Sequence, residues 1–132
     1  MKHRRNGKSR GGQLHKMASL LVGGIGLFNS GNFFEAHEIL EEIWRSAPEI
    51  EKQFWQGLIQ IAVSFHHRSL GNTIGARSVL SRAIQNLTPY PDIYCGIQLR
   101  GLKMSLEKWQ EAISNNEVDF HLPTIHLNGD PL

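Results

Sequence analysis

The chain has 132 residues, enough for one domain with a real core and too few for two. Its hydrophobic fraction of 40% and charged fraction of 20% are those of an ordinary globular protein, which excludes a fibrous or low-complexity chain. No apolar run is long enough for a membrane span, no secretory signal is visible, and the single cysteine, Cys95, excludes an internal disulfide, so the expected setting is the cytoplasm.

The formal net charge of +2 is unevenly distributed. Lys2, Arg4, Arg5, Lys8 and Arg10 stand in the first dozen residues with no acid among them, while the body is mildly acidic. Residues 1–13 therefore read as a disordered basic leader, able to touch nucleic acid or another polyanion without sequence preference. No aromatic residue interleaves these charges, which argues against single-strand binding by base stacking.

Beyond the leader, residues 14–116 read as one helical domain. Leu14 to Phe28 predicts a first helix, with Met17, Leu20, Leu21, Ile25 and Phe28 on its apolar side. Asn29-Ser30-Gly31-Asn32 is turn chemistry. Phe33 to Ser46 predicts a second helix, because Phe33, Ala36, Leu40, Ile43 and Trp44 share one sector at about 100° per residue while Glu35, Glu38, Glu42 and Arg45 share the other. Pro48 ends it. A third helix, from Glu49 or Glu51 to Leu70, is apolar nearly all round and belongs in the middle of the domain. Gly71-Asn72 terminates it, and Thr73 to Leu87 forms a fourth. After Thr88-Pro89-Tyr90-Pro91, Asp92 is expected to cap a fifth helix running from Ile93 to about Asn115. Residues 117–132, with Pro123 and Pro131, read as an extended C-terminal tail laid over the surface.

No stretch asks for a sheet, and the expected fold is all-α. It is a compact bundle of about five helices built from antiparallel hairpins. A weak internal repeat supports this: Gly31-Asn32, Ala36 and Leu40 recur forty residues later as Gly71-Asn72, Ala76 and Leu80.

The candidate site lies in the second helix. His37, Glu41 and Trp44 are spaced by four and three residues, so they share one flank and look toward whichever helix packs alongside. The third helix would supply Gln56, Gln60, His66 and His67 to the same seam. Imidazole and carboxylate at i and i+4 can converge on a divalent ion such as zinc or manganese, with His37, Glu41 and His66 as the candidate ligands. The alternative is that His37 and Glu41 lock two helices together and ligate nothing. The zinc-protease signature is excluded because it needs histidine where Glu41 stands. The helical di-iron motif is excluded because none of the seven histidines has a glutamate three residues before it. There is no phosphate-binding glycine loop and no serine nucleophile elbow, so no complete catalytic set is legible. The expected function is a binding module, for a protein or small ligand, that uses the seam between helices two and three. A metal-binding protein or metal-assisted hydrolase built on His37 and Glu41 is the second reading.

The segment Phe28-Asn29…Gly31-Asn32-Phe33-Phe34-Glu35-Ala36-His37-Glu38…Glu41…Trp44 resembles the signature of a small prokaryotic family known as domain of unknown function 309. Its hallmark is His-x-x-x-Glu-x-x-Trp. Phe54-Trp55-Gln56-Gly57-Leu58-Ile59-Gln60…His66-His67…Gly71-Asn72…Ala76 and Pro91…Tyr94-Cys95-Gly96-Ile97 also resemble it, except that Gln98 stands where an acid is usual. The resemblance implies an all-helical bundle with His37, Glu41 and Trp44 as functional residues; it implies no reaction.

Overall fold

Two chain reversals of the same construction set the architecture. The computed structural model describes residues 2–115 and 121–129, and for residues 2–11, 13 and 14 the backbone alone. The first reversal is at Gly31-Asn32 and the second at Gly71-Asn72. Both glycines are left-handed, with φ of 84° and 81°, a conformation that a Cβ disfavours. Gly31 N–H donates to Phe28 O and Asn32 N–H to Leu27 O; forty residues on, Gly71 N–H donates to Arg68 O and Asn72 N–H to His67 O. Ala36 and Ala76, and Leu40 and Leu80, are fully buried in matching places. The weak repeat in the sequence is thus a repeat of structure, two helical hairpins laid side by side.

The helices are α1 (Lys2–Asn29), α2 (Phe33–Ser46), α3 (Glu49–Ser69), α4 (Thr73–Leu87) and α5 (Leu99–Ser114), with a two-stranded ribbon, β1 (Ile93–Tyr94) and β2 (Ile97–Gln98), before α5. The protein is an all-α bundle in which each helix packs chiefly on its neighbours in the chain. As its apolar periodicity requires, α3 is the central element. Phe54, Leu58, Ile61, Ala62 and Phe65 are buried, with Phe65 stacking edge-on against Trp109 of α5 and in contact with Phe33 of α2. Its ends are electrostatically matched, with Glu49 and Glu51 in the first turn and His66, His67 and Arg68 in the last. No helix among the described residues is long and apolar enough to cross a membrane.

The structure differs from the sequence expectation in three places. First, α1 begins at Lys2 and not at Leu14. The basic stretch contains no proline and is rich in lysine and arginine, both good helix formers, although Gly7, Gly11 and Gly12 oppose a helix by propensity. Second, α5 begins at Leu99, because residues 93–98 form a tight antiparallel hairpin pairing Ile93 with Gln98 and Tyr94 with Ile97. Cys95 and Gly96 at its tip both have positive φ, 49° and 76°, the geometry of the turn whose twist suits a two-residue hairpin. Asp92 thus caps no helix, and its carbonyl accepts from Leu99 N–H at 2.6 Å.

Third, residues 121–129 do more than lie on the surface. Ile125 is buried, Leu127 bridges Ile97, and the Asn29 side-chain amide makes a two-way hydrogen bond with the Ile125 backbone at 2.8 and 2.9 Å. The Trp109 indole N–H donates to His121 O. Residues 116–120 and 130–132 of the expected tail lie outside the described residues.

Candidate functional site: the strip between α2 and α3

α2 and α3 are joined by the short Ala47-Pro48 link and run antiparallel, so the start of each lies beside the end of the other. The indole of Trp44, late in α2, lies under the ammonium of Lys52, early in α3, at 4.3 Å from the ring centroid. Lys52 Nζ also donates to Trp44 O at 2.6 Å and to Arg45 O at 3.3 Å. These carbonyls end α2, and Lys52 supplements the C-cap Ala47, whose N–H also donates to Trp44 O.

At the opposite end of the strip, Phe34 stands between two histidines. Its ring lies 5.0 Å from that of His37 and 5.2 Å from that of His66, centroid to centroid. Phe34 is 47% exposed although it is aromatic and belongs to the first turn of a helix.

His37 is held from behind. Its Nδ1 hydrogen-bonds the carbonyl of Phe34, so that nitrogen carries the proton and Nε2 is left facing outward. Nε2 stands 3.7 Å from Glu41 Oε1, beyond hydrogen-bond range but within reach of ion pairing if the ring is protonated. The Glu41 side chain is 44% exposed. The His37 side chain is 20% exposed, so the pair runs from a largely covered imidazole to a carboxylate at the water-facing edge of the seam.

The seven residues expected at this seam divide between the two flanks of α3. His37, Glu41, Trp44 and His66 lie on the α2 side. Gln60 and His67 face α4: Gln60 accepts from the Asn86 side chain at 2.7 Å, and His67 Nδ1 lies 3.3 Å from the side chain of Asn72, which caps α4. Gln56, half-buried, is on the same strip of α3 as Gln60. The sequence reading missed Phe34 and Lys52. Phe34 could have been found from its spacing, three residues before His37 on the same flank. Lys52 has no such signal, since a lysine at a helix start reads as solvated.

Among the described residues, no three His, Cys, Asp or Glu side chains gather closely enough to hold a metal ion. The metal reading thus rests on the His37–Glu41 pair, with Phe34 in contact with both histidine rings.

A second group of polar residues lies at the other end of the bundle. The Cys95 thiol is pushed up to about 12 from its ordinary value of 9.0, first by burial, then by the negative charge of Glu51 and a hydrogen bond to it. Such a thiol is protonated and unreactive at neutral pH.

A small helical bundle made of two like hairpins, with an aromatic and histidine strip on one seam, is the class of protein these features define. Residues 21–79 match the family described as Domain of unknown function (DUF309). The match takes in α2, α3 and the whole strip. The chain is similar to an "Uncharacterized protein" of Aquifex aeolicus (strain VF5), 33% identical over 106 residues that make up 80% of this chain and 31% of the relative. It is also similar to "Uncharacterized protein YpuF" of Bacillus subtilis (strain 168), 42% identical over 57 residues, 42% of this chain and 33% of the relative. The chain thus spans about a third of the length of these relatives.

Proposed function

We propose that the protein is a binding module that receives a partner protein along the strip formed by Phe34, His37, Glu41 and Trp44 of α2 with Lys52 and His66 of α3. The observation that carries this reading is Phe34, a half-exposed aromatic ring flanked by two histidines inside the stretch shared with the family. A large apolar side chain in that position costs solvation and adds little to the core. Against a partner it becomes an anchor, the role aromatic residues most often take at interfaces. His37 Nε2 and the Glu41 carboxylate supply adjustable polar contacts at the rim.

The test is a photo-crosslinking amino acid placed at position 34, compared with the same group at the exposed Arg77 on α4, in cells that express the protein at its normal level. A discrete protein adduct from position 34 alone, weakened by Trp44→Ala, is expected. Identical adducts from both positions, or none from either, would remove the proposal.

A further inference from the structure

A cleft of about 380 Å³ opens between α1, the link from α2 to α3, and the hairpin tip. It lies outside the α2/α3 strip. Its volume is that of a small-molecule site. Met17, Leu21, Ile43, Ala47 and Trp55 give it apolar walls, and Glu51 provides the one carboxylate among its lining residues. Glu51 Oε1 accepts from the Trp55 indole N–H at 3.1 Å, and Cys95 lines the same cleft. That donor is neutral. Among the described residues no lysine, arginine or histidine pairs with Glu51, and its chain neighbour Lys52 is turned away to the end of α2.

The carboxylate, in the first turn of α3, is oriented by the Trp55 indole and, among the described residues, has no cationic side chain paired with it beside the apolar cavity. A carboxylate has about four acceptor positions, so capacity remains for a further donor. The group that fits is positively charged at one end, to pair with Glu51, and apolar along the rest, to fill the walls. An anion would meet repulsion. A neutral apolar molecule would gain the walls without the charge-assisted hydrogen bond.

We infer that this cleft binds a small primary amine carrying an apolar tail, with Glu51 as the counter-ion of its ammonium group. The enclosed apolar surface supplies affinity, and the carboxylate supplies selection for the cation over its isosteres.

Isothermal titration of the full chain with 2-phenylethylamine, 2-phenylethanol and phenylacetate tests this directly. The amine should bind saturably and at least about tenfold more tightly than the alcohol, with no binding of the acid. Glu51→Gln should bring amine and alcohol to the same affinity. Ala18→Trp, a change at an exposed position in the wall of the cleft, should abolish binding of both with the circular dichroism spectrum unchanged. It keeps the test valid even if Glu51→Gln disturbs folding. Equal affinity for amine and alcohol, an undiminished preference in Glu51→Gln, or no saturable heat from the amine at tens of millimolar would each overturn the inference.

Discussion

The two flanks of α3 are built on opposite plans. Toward α4 the contact is close and made of small residues. A Cβ placed on Gly57 would lie 2.8 Å from Leu87 Cγ and Cδ2 and 3.4 Å from Ala83 O. The fully buried Ser64 hydroxyl donates to Ala76 O at 2.6 Å, and Asn86 ties α4 to Gln60. Toward α2 the facing side chains are large, Phe34, His37, Trp44, Lys52 and His66, and several remain partly open to water. The first flank has used its polar groups within the fold. The second keeps an exposed ring and an outward imidazole nitrogen in reserve. Under the proposed function, stability and recognition are placed on different sides of one helix.

If that division is right, the same change should cost stability on one flank and not on the other. Gly57→Val forces a branched side chain into buried Leu87 and should destabilise the fold by about 3 kcal/mol. Gly57→Ala should cost less, because the gain in helix propensity of about 1 kcal/mol opposes the clash. Urea unfolding of the pair measures the closeness of the α3/α4 contact; equal stability to wild type would show that the helices can move apart freely.

Ser64→Ala removes one buried hydrogen bond and should cost about 1 kcal/mol by the same measurement. A loss well above that would mean the hydroxyl organises more than the one carbonyl.

On the α2 side, losing the i, i+4 contact between His37 and the half-exposed Glu41 should cost no more than about 0.5 kcal/mol, so His37→Ala should cost less than Ser64→Ala. It should nevertheless weaken the position-34 adduct. A loss of stability as large as that of Ser64→Ala would mean that His37 is a packing residue after all.

The smallest expected effect sharpens the choice between the two readings of the strip. Added zinc or manganese should leave the thermal midpoint of wild type unchanged. A ligand that binds only the folded state would raise it. A rise that disappears in both His37→Ala and Glu41→Gln would bring back the metal reading in place of the protein-binding one.

How much of this was legible in the sequence depended on whether a signal was local. The boundaries of α2, α3 and α4 follow from apolar periodicity bracketed by Gly31-Asn32, Pro48 and Gly71-Asn72, all of which act through their own backbone. The flank shared by His37, Glu41 and Trp44 was equally readable, since helical spacing alone places it. Which neighbour each polar strip of α3 faces was not readable. Gln60 and His67 meet α4, not α2, on the face of α3 where Gly57 fits closely against Leu87, a contact between helices that no local pattern announces. The hairpin before α5 was hidden for another reason. Its turn pairs Gly96 with a cysteine at φ of 49°, where asparagine or aspartate would have announced it. The burial of Ile125 had no signal at all until Asn29, on the far side of the sequence, supplied its partner.

That last contact bears on how the molecule is made. Helices that lean chiefly on their neighbours in the chain can assemble in order as synthesis proceeds from the N-terminus. The clasp between Asn29 and Ile125 joins residues 96 positions apart, so it can close only after Ile125 has been made. Until then the first helix ends in an amide awaiting both of its hydrogen bonds. A nascent chain carrying only the four hairpin helices therefore still lacks this clasp, which residues 121–129 supply.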